Sequence, residues 1–172
     1  SSVKTRLLLD ALPFLGAYAP VDISAEHLAG AARKLEAEHP SLPVHPVAAD
    51  FTSRMALPEA LERMPKLWFF PGSTIGNFTP PEAQALLARW RKIPGAAGLV
   101  LGADLRKDPA RLAAAYDDAQ GVTAAFNLNL LARMNRELGA DFDLSAFAHE
   151  ARWDDARSRI EMHLTARRAQ VV

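Results

Sequence analysis

The fold is decided by the stretch Trp68-Phe69-Phe70-Pro71-Gly72-Ser73-Thr74-Ile75-Gly76-Asn77-Phe78-Thr79. An apolar run ends at a Pro-Gly pair, and a loop of small residues then leads into Thr79-Pro80-Pro81-Glu82. A threonine followed by proline and, three residues on, by glutamate is typical of a capped helix start. The pattern predicts a buried strand over 66–70, a loop at its carboxyl end and a helix. Ligands bind at such loops in open α/β sheets.

Apolar strands and helices alternate on both sides of this stretch. Further strands are predicted over 17–23, 43–49 and 98–103, and helical segments separate them. Strands that are apolar throughout and alternate with helices favour a parallel sheet covered on both faces.

The pattern changes after Gly121. A helix is predicted from Val122 to Leu138, closed by Gly139. Two runs of alternating apolar and polar residues follow, and their connection over 154–158 suits a hairpin. The predicted fold class is therefore α/β, with a mostly parallel sheet and antiparallel strands near the C-terminus.

Composition narrows the class of protein. The chain has 172 residues, 20 basic and 20 acidic side chains and no cysteine. The length predicts a single domain over 1–172. The balanced charge gives no field that would attract nucleic acid or anionic lipid. No apolar run is long enough to span a membrane. The opening at Ser1 without methionine and the apolar end at Val172 predict a fragment truncated at both ends. A monomer in the cytoplasm is expected.

Acidic residues follow two of the predicted strands. Asp22 ends the strand over 17–23, where a carboxylate can accept from both ribose hydroxyls of a nucleotide. Asp50 and Phe51 come directly after the strand over 43–49, where a carboxylate and the next backbone N–H can bind adenine. Together these residues have the order along the chain that an adenosine site needs. Each carboxylate can equally be an ordinary strand-end or helix-capping residue.

The central loop and the C-terminal part of the chain contribute further candidates. Gly72 permits a close backbone approach, and Asn77 offers both a donor and an acceptor. A plain turn is the alternative for Asn77. Tyr116 lies near the end of a helix and Met162 on an apolar strand face. An interfacial tyrosine and a core methionine are the ordinary alternatives for these two.

Other kinds of site are not expected. None of the five histidines has the spacing of a zinc site, and only His149 and His163 could face each other across the hairpin. Phosphate-binding loops of the P-loop type and the G-x-S-x-G nucleophile pattern are absent from the sequence. We therefore expect neither a metal nor a covalent nucleophile.

Several strings of this sequence resemble one enzyme family, the histidine-specific S-adenosylmethionine methyltransferases. The strings are Val21-Asp22-Ile23-Ser24, Phe70-Pro71-Gly72-Ser73-Thr74-Ile75-Gly76-Asn77-Phe78, Gly121-Val122-Thr123-Ala124-Ala125-Phe126-Asn127, Asn135-Arg136-Glu137-Leu138-Gly139-Ala140-Asp141-Phe142 and Arg159-Ile160-Glu161-Met162. The resemblance covers essentially the whole chain. It implies a Rossmann-like class I methyltransferase fold, S-adenosyl-L-methionine as cofactor and a small amino acid as partner. The implied reaction trimethylates the α-amine of L-histidine to hercynine in ergothioneine biosynthesis.

The resemblance also implies roles for individual residues. The implied cofactor-binding residues are Lys4, Asp22, Asp50 and Phe51, and the implied substrate-binding residues are Gly72, Asn77, Tyr116 and Met162. Asn77 and Tyr116 are expected to hold the α-carboxylate region of the amino acid, and Met162 to form a wall of its side-chain pocket. No catalytic acid, base or nucleophile is implied. The family's glycine-rich loop is expected before Ser1, and its imidazole-binding Glu-x-Ser pair after Val172.

Three other functions fit the same pattern. A family relative can act on a different amino acid. A nicotinamide-dependent oxidoreductase can use the same kind of sheet, since it also binds a dinucleotide. A non-catalytic module can retain adenosine binding alone.

Overall fold

The computed structural model describes residues 2–171, with the side chain of Ser2 left out. The contacts within the chain divide it into two units, the first ending at Asp104 and the second beginning at Leu105. The expectation of a single domain over 1–172 stays a prediction.

The first unit alternates helices and short strands as predicted. Its elements are α1 (Ser2–Ala11), β1 (Val21–Asp22), α2 (Ala25–Glu38), β2 (Val47–Ala48), α3 (Glu59–Glu62), β3 (Lys66–Phe70), a 3-10 helix (Thr74–Asn77), α4 (Pro80–Arg91) and β4 (Ala96–Leu101). The strand over 66–70 and the start of α4 are confirmed. The Glu82 carboxylate accepts hydrogen bonds from the Thr79 N–H at 2.8 Å and from the Thr79 hydroxyl at 2.7 Å.

Parallel pairing is confirmed, but the strands form two small sheets. β1 pairs with β2, and β3 pairs with β4, both in parallel. β1 and β2 have only two residues each because prolines interrupt the flanking segments and cannot donate to a ladder. Backbone bonds still join the two extended segments from Tyr18 N–H to Pro43 O (2.9 Å) through Ala49 N–H to Asp22 O (3.0 Å).

The core of the first unit lies between its helices and its strands. Its buried apolar side chains are Leu9, Leu28, Ala32, Leu35, Val47, Leu61, Leu86 and Trp90. β4 differs from the prediction, since Leu99, Val100 and Leu101 are 38%, 41% and 40% exposed. The prediction that the parallel strands are covered on both faces is therefore wrong for β4.

A close approach of two chains fixes the carboxyl ends of β3 and β4. The Gly102 N–H donates to the Phe70 carbonyl at 2.9 Å. A β-carbon on Gly102 would lie 3.0 Å from the Gly72 nitrogen and 3.2 Å from the Pro71 α-carbon. A side chain on residue 102 would therefore push the segment after β4 away from the loop after β3.

The second unit packs two helices on an antiparallel hairpin. Its elements are α5 (Pro109–Tyr116), α6 (Val122–Leu138), a 3-10 helix (Leu144–Ala146), β5 (Phe147–Asp154) and β6 (Arg159–Ala166). The predicted helix over 122–138 and the predicted hairpin are confirmed. His149 pairs with Leu164 and His163 pairs with Glu150, so the two histidines lie on opposite faces of the hairpin and do not meet.

The two ends of α6 are capped in different ways. Asp118 accepts hydrogen bonds from the Val122 N–H at 3.1 Å and from the Thr123 N–H at 2.7 Å. Gly139 closes the helix in the left-handed conformation. Helical spacing along α6 predicts a buried row formed by Val122, Phe126, Leu130, Met134 and Leu138. This row does not form the buried side of the helix, because Phe126 is 71% exposed and Leu131 is the buried position.

Among the described residues, no helix is both long enough and apolar enough to cross a bilayer.

We predict that Gly102→Ala destabilises the protein by about 1–3 kcal/mol, because the added β-carbon meets backbone atoms that cannot move aside without breaking the pairing. Gly30→Ala is the matched control. A β-carbon there has no neighbour within 4 Å inside α2, so we expect a gain of about 0.5–1 kcal/mol. Denaturant unfolding of the intact protein measures both. Equal effects of the two substitutions would contradict the close approach.

We predict that Asp118 makes the stability of α6 pH-dependent in acid. Hydrogen bonds from the Thr123 hydroxyl and from the backbone N–H groups of Thr123 and Val122 lower the pKa of Asp118 from 3.8 to about 2. A carboxyl whose pKa is lower in the folded state stabilises above its ordinary pKa, and this stabilisation is lost as the pH falls through the folded value. Wild type should therefore lose stability between about pH 4 and about pH 2 relative to Asp118→Asn.

The measurement is the midpoint of denaturant unfolding as a function of pH. Asp117→Asn, which removes the same charge one residue away, is the control. Parallel pH profiles of wild type and Asp118→Asn would show that the cap contributes nothing.

Candidate functional site

A largely apolar cleft in the first unit opens beside β1 and β3. Its volume is about 650 Å³. Three of the predicted site residues, Lys4, Phe51 and Gly72, line it together with the segments 17–21 and 65–71. Asp22, Asp50 and Asn77 are not among its lining residues. The structure thus brings half of the predicted residues of this unit to one cleft.

The side chain of Lys4 reaches the start of the central loop. Its Nζ lies 4.0 Å from the position that a β-carbon on Gly72 would take. Lys4 was expected near the cofactor and Gly72 near the substrate.

The loop after β3 has an unusual backbone. Gly72 has φ +76° and Ser73 has φ +59°, so two successive residues are left-handed. The 3-10 helix then follows, and it ends at Asn77. The Thr74 hydroxyl donates to the Pro71 carbonyl at 3.1 Å, and the Gly76 N–H donates to the Ser73 carbonyl at 2.9 Å. These bonds fix the loop while the Asn77 side chain remains exposed.

Asp22 is the last residue of β1, and Asp50 comes two residues after β2, its parallel neighbour. The register pairs Asp22 with Ala48, two residues before Asp50. Asp22 Oδ1 accepts from the Ser24 N–H at 2.8 Å, and Asp50 Oδ1 accepts from the Thr52 N–H at 2.8 Å. Both carboxylates therefore form local turns, as the capping alternative expects. The turns use Oδ1 only and do not occupy Oδ2.

The hydrogen bond from the Thr52 hydroxyl to Asp50, at 2.6 Å, adds to the backbone bond. It is the main cause of the lowered pKa of Asp50. Asp50 is therefore a carboxylate at neutral pH and acts as an acceptor, as adenine recognition through its amino group requires.

Helix α4 holds the loop that carries Asp50 and Phe51. The Arg89 guanidinium donates to the Thr52 carbonyl, and Trp90 Nε1 donates to the Phe51 carbonyl at 3.4 Å. The Phe51 ring lies with its centroid 5.5 Å from that of Phe70, in an edge-on arrangement. Sequence reasoning gave Arg89 no role, because no local pattern indicates a partner 37 residues away along the chain.

In the second unit, Tyr116 and Met162 lie on elements that pack together. Tyr116 is the last residue of α5, which contacts both strands of the hairpin. Met162 pairs with Ala151 on the strand face that also carries His149, and it is 41% exposed. The core alternative for Met162 is therefore wrong. Its role and that of Tyr116 in substrate binding stay predictions.

A second depression lies at the amino end of β3, and it shares Lys66 with the lining of the apolar cleft. Its volume is about 830 Å³, and Lys66 is among its lining residues. The Lys66 ammonium donates to the carbonyls of Glu62, Met64 and Pro94 at 3.0, 2.9 and 2.8 Å. These three bonds use all its protons and join the turn before β3 to the segment that precedes β4. We regard this depression as structural, since ligands of parallel sheets bind at the other strand ends.

No group of three or more His, Cys, Asp or Glu side chains within the described part of the chain could hold a metal ion.

Comparison with known proteins identifies the family. The profile of a family described as histidine-specific, SAM-dependent methyltransferases matches residues 1–172. The chain is 47% identical over 176 residues to a histidine N-alpha-methyltransferase of Mycolicibacterium smegmatis, which covers 100% of this chain and 54% of that protein. It is also 47% identical over 171 residues to the histidine N-alpha-methyltransferase of Mycobacterium tuberculosis, covering 96% of this chain and 52% of that protein.

A more distant relative is the ergothioneine biosynthesis protein 1 of Neurospora crassa. It is 31% identical over 146 residues, which are 79% of this chain and 16% of that protein. The chain spans about half the length of the two histidine N-alpha-methyltransferases. On the match of its full length, the chain belongs to the family of histidine-specific, SAM-dependent methyltransferases.

Proposed function

We propose that this chain is part of an S-adenosylmethionine-dependent N-methyltransferase that acts on the α-amino group of L-histidine and carries it to the trimethylated product hercynine. The observation that carries the proposal is the identity of 47% over the whole chain with a histidine N-alpha-methyltransferase. The ergothioneine biosynthesis protein among the relatives supports the same pathway.

We further propose that the two parallel pairs belong to a Rossmann-like sheet of the class I methyltransferase kind. The parallel registers of β1 with β2 and of β3 with β4 support this, since parallel strands are almost always parts of larger covered sheets. The exposed apolar residues of β4 support it as well, because such a surface is normally covered.

The residues of the first unit fit a bound adenosyl group. Asp22 and Asp50 are acceptors near the carboxyl ends of two adjacent parallel strands, with Oδ2 outside their local turns. Lys4 and Phe51 border the apolar cleft. When bound, S-adenosylmethionine supplies an electrophilic methyl group on a sulfonium, so the protein needs no nucleophile or metal of its own.

The remaining task of this chain is to orient the amino acid. Asn77 of the first unit donates to the α-carboxylate region, which fixes the direction of the neighbouring amine. Tyr116 of the second unit is the other residue that the family resemblance assigns to this region of the amino acid. The amine must be neutral to expose its lone pair, and an apolar surrounding excludes the water that would otherwise solvate it. Met162 provides an apolar wall that tolerates a growing quaternary ammonium.

We predict that Asn77→Ala lowers kcat/KM for the amino acid by about 10-fold or more, equal to about 1.4 kcal/mol, because a donor to the carboxylate is lost. Steady-state kinetics of the intact protein with saturating S-adenosylmethionine measures it. Gln84→Ala, which removes an exposed amide from α4, is the control and should leave kcat/KM unchanged. An Asn77→Ala enzyme with wild-type amino-acid kinetics would remove Asn77 from the site.

We predict that Asp22→Ala raises the Kd for S-adenosylmethionine by about 10-fold or more, because a charged acceptor for the ribose is lost. Asp22→Asn distinguishes a lost cofactor contact from a damaged fold. Its amide oxygen still accepts from the Ser24 N–H, so the local turn is kept, but the side chain carries no charge. Isothermal calorimetry on the intact protein measures both variants. Glu36→Ala, on the exposed side of α2, is the control.

The same assays discriminate the alternative functions. Methylation of another amino acid in preference to histidine would correct the substrate alone. Binding of S-adenosylmethionine without methyl transfer would favour the adenosine-binding module. Binding of a nicotinamide dinucleotide instead would overturn the proposal.

A further inference from the structure

A chain of three hydrogen bonds connects α6, the hairpin and the end of α5. Asn127 Nδ2 lies 3.1 Å from the carbonyl oxygen of His163 and 3.0 Å from His149 Nδ1. His149 Nε2 lies 2.7 Å from the carbonyl oxygen of Tyr116. All the participating side chains are half-buried. The function proposed above assigns no role to these three hydrogen bonds.

The donor and the acceptor of each of these three hydrogen bonds follow from the bond to the His163 carbonyl. The His163 carbonyl can only accept, so the Asn127 amide must turn its NH₂ group towards it. The same NH₂ group then donates its other proton to His149 Nδ1. Because Nδ1 must carry a lone pair, the proton of the neutral imidazole lies on Nε2. Nε2 therefore donates to the Tyr116 carbonyl.

The Tyr116 carbonyl needs this donor because of where it lies. It belongs to the last residue of α5, and the last carbonyls of a helix have no partner within the helix. A side-chain donor from another element satisfies this carbonyl and fixes the end of the helix against that element. The backbone of Tyr116 is thereby held to β5.

We propose that Asn127 and His149 are positioning residues, which set the place of Tyr116 in the amino-acid pocket through this hydrogen-bonded chain. The role of Tyr116 in that pocket rests on the proposed function. Met162 lies on the same hairpin face as His149. The three hydrogen bonds therefore anchor Tyr116 to the face that carries the other substrate-binding candidate of this unit.

The first test concerns the protons alone and needs no activity. Nitrogen-15 NMR of the histidine rings in the intact protein should show His149 neutral, with its proton on Nε2 and none on Nδ1. Asn127→Asp replaces the donor with an acceptor of the same shape, so His149 Nδ1 should become protonated. A proton on Nδ1 in wild type, or an unprotonated Nδ1 in Asn127→Asp, would overturn the proposal.

The second test concerns the position of Tyr116. His149→Phe keeps the ring but removes both bonds, and we expect the KM for the amino acid to rise about 10-fold. The Kd for S-adenosylmethionine should change by less than about twofold. His149→Gln can still donate to the Tyr116 carbonyl and should restore most of the KM. His27→Gln, at an exposed position of α2, is the matched control and should behave as wild type.

The outcomes separate this inference from the proposed function. An unchanged KM in His149→Phe overturns the positioning role, as does an equal loss of cofactor and amino-acid binding, which would indicate general unfolding. If His149→Phe does not fold, His149→Gln and Asn127→Asp decide by the same measurements. If wild type transfers no methyl group to any amino acid, the proposed function fails, while the NMR result still decides the hydrogen-bonded chain.

Discussion

The first unit depends on the packing of one side chain, Trp90. It is 4% exposed, its ring stacks on Trp68 with the centroids 5.2 Å apart, and it meets Phe70 edge-on at 5.0 Å. Aromatic pairs of this geometry contribute about 0.5–1.5 kcal/mol beyond the area that they bury. Its Nε1 also reaches the Phe51 carbonyl. A single residue thus joins α4 to β3 and to the loop that follows β2.

Both units hold their candidate residues by the same physical means. A donor on a regular element satisfies a carbonyl in a loop or at a helix end, where the backbone has no partner of its own. Trp90 and Arg89 do this for the carbonyls of residues 51 and 52, and His149 does it for Tyr116. The loop that carries Phe51 and the end of the helix that carries Tyr116 are thereby fixed to the helices and strands around them.

The sequence predicted what local patterns control. Element positions such as β3 and α6 follow from apolar runs, caps and the glycine at 139, and the structure has them. The expected burial of β4 is not found, because an apolar run such as the one with Leu99 predicts a strand but does not say what packs on it. Likewise the row containing Phe126 has helical spacing but faces outwards. The partners of Arg89 and His149 are distant in sequence, so no local pattern could predict them.

The left-handed serine at position 73 has a consequence for how this protein can change. An L-residue in this conformation costs about 1–2 kcal/mol, which the loop bonds around it must offset. Glycine there would relieve that energy, yet it would also widen the range of shapes open to the bend that presents Asn77. Thermal robustness and a ready-made ligand geometry therefore favour different residues at this position. Selection for stability alone is therefore expected to favour glycine at position 73, at the expense of the fixed conformation of the loop.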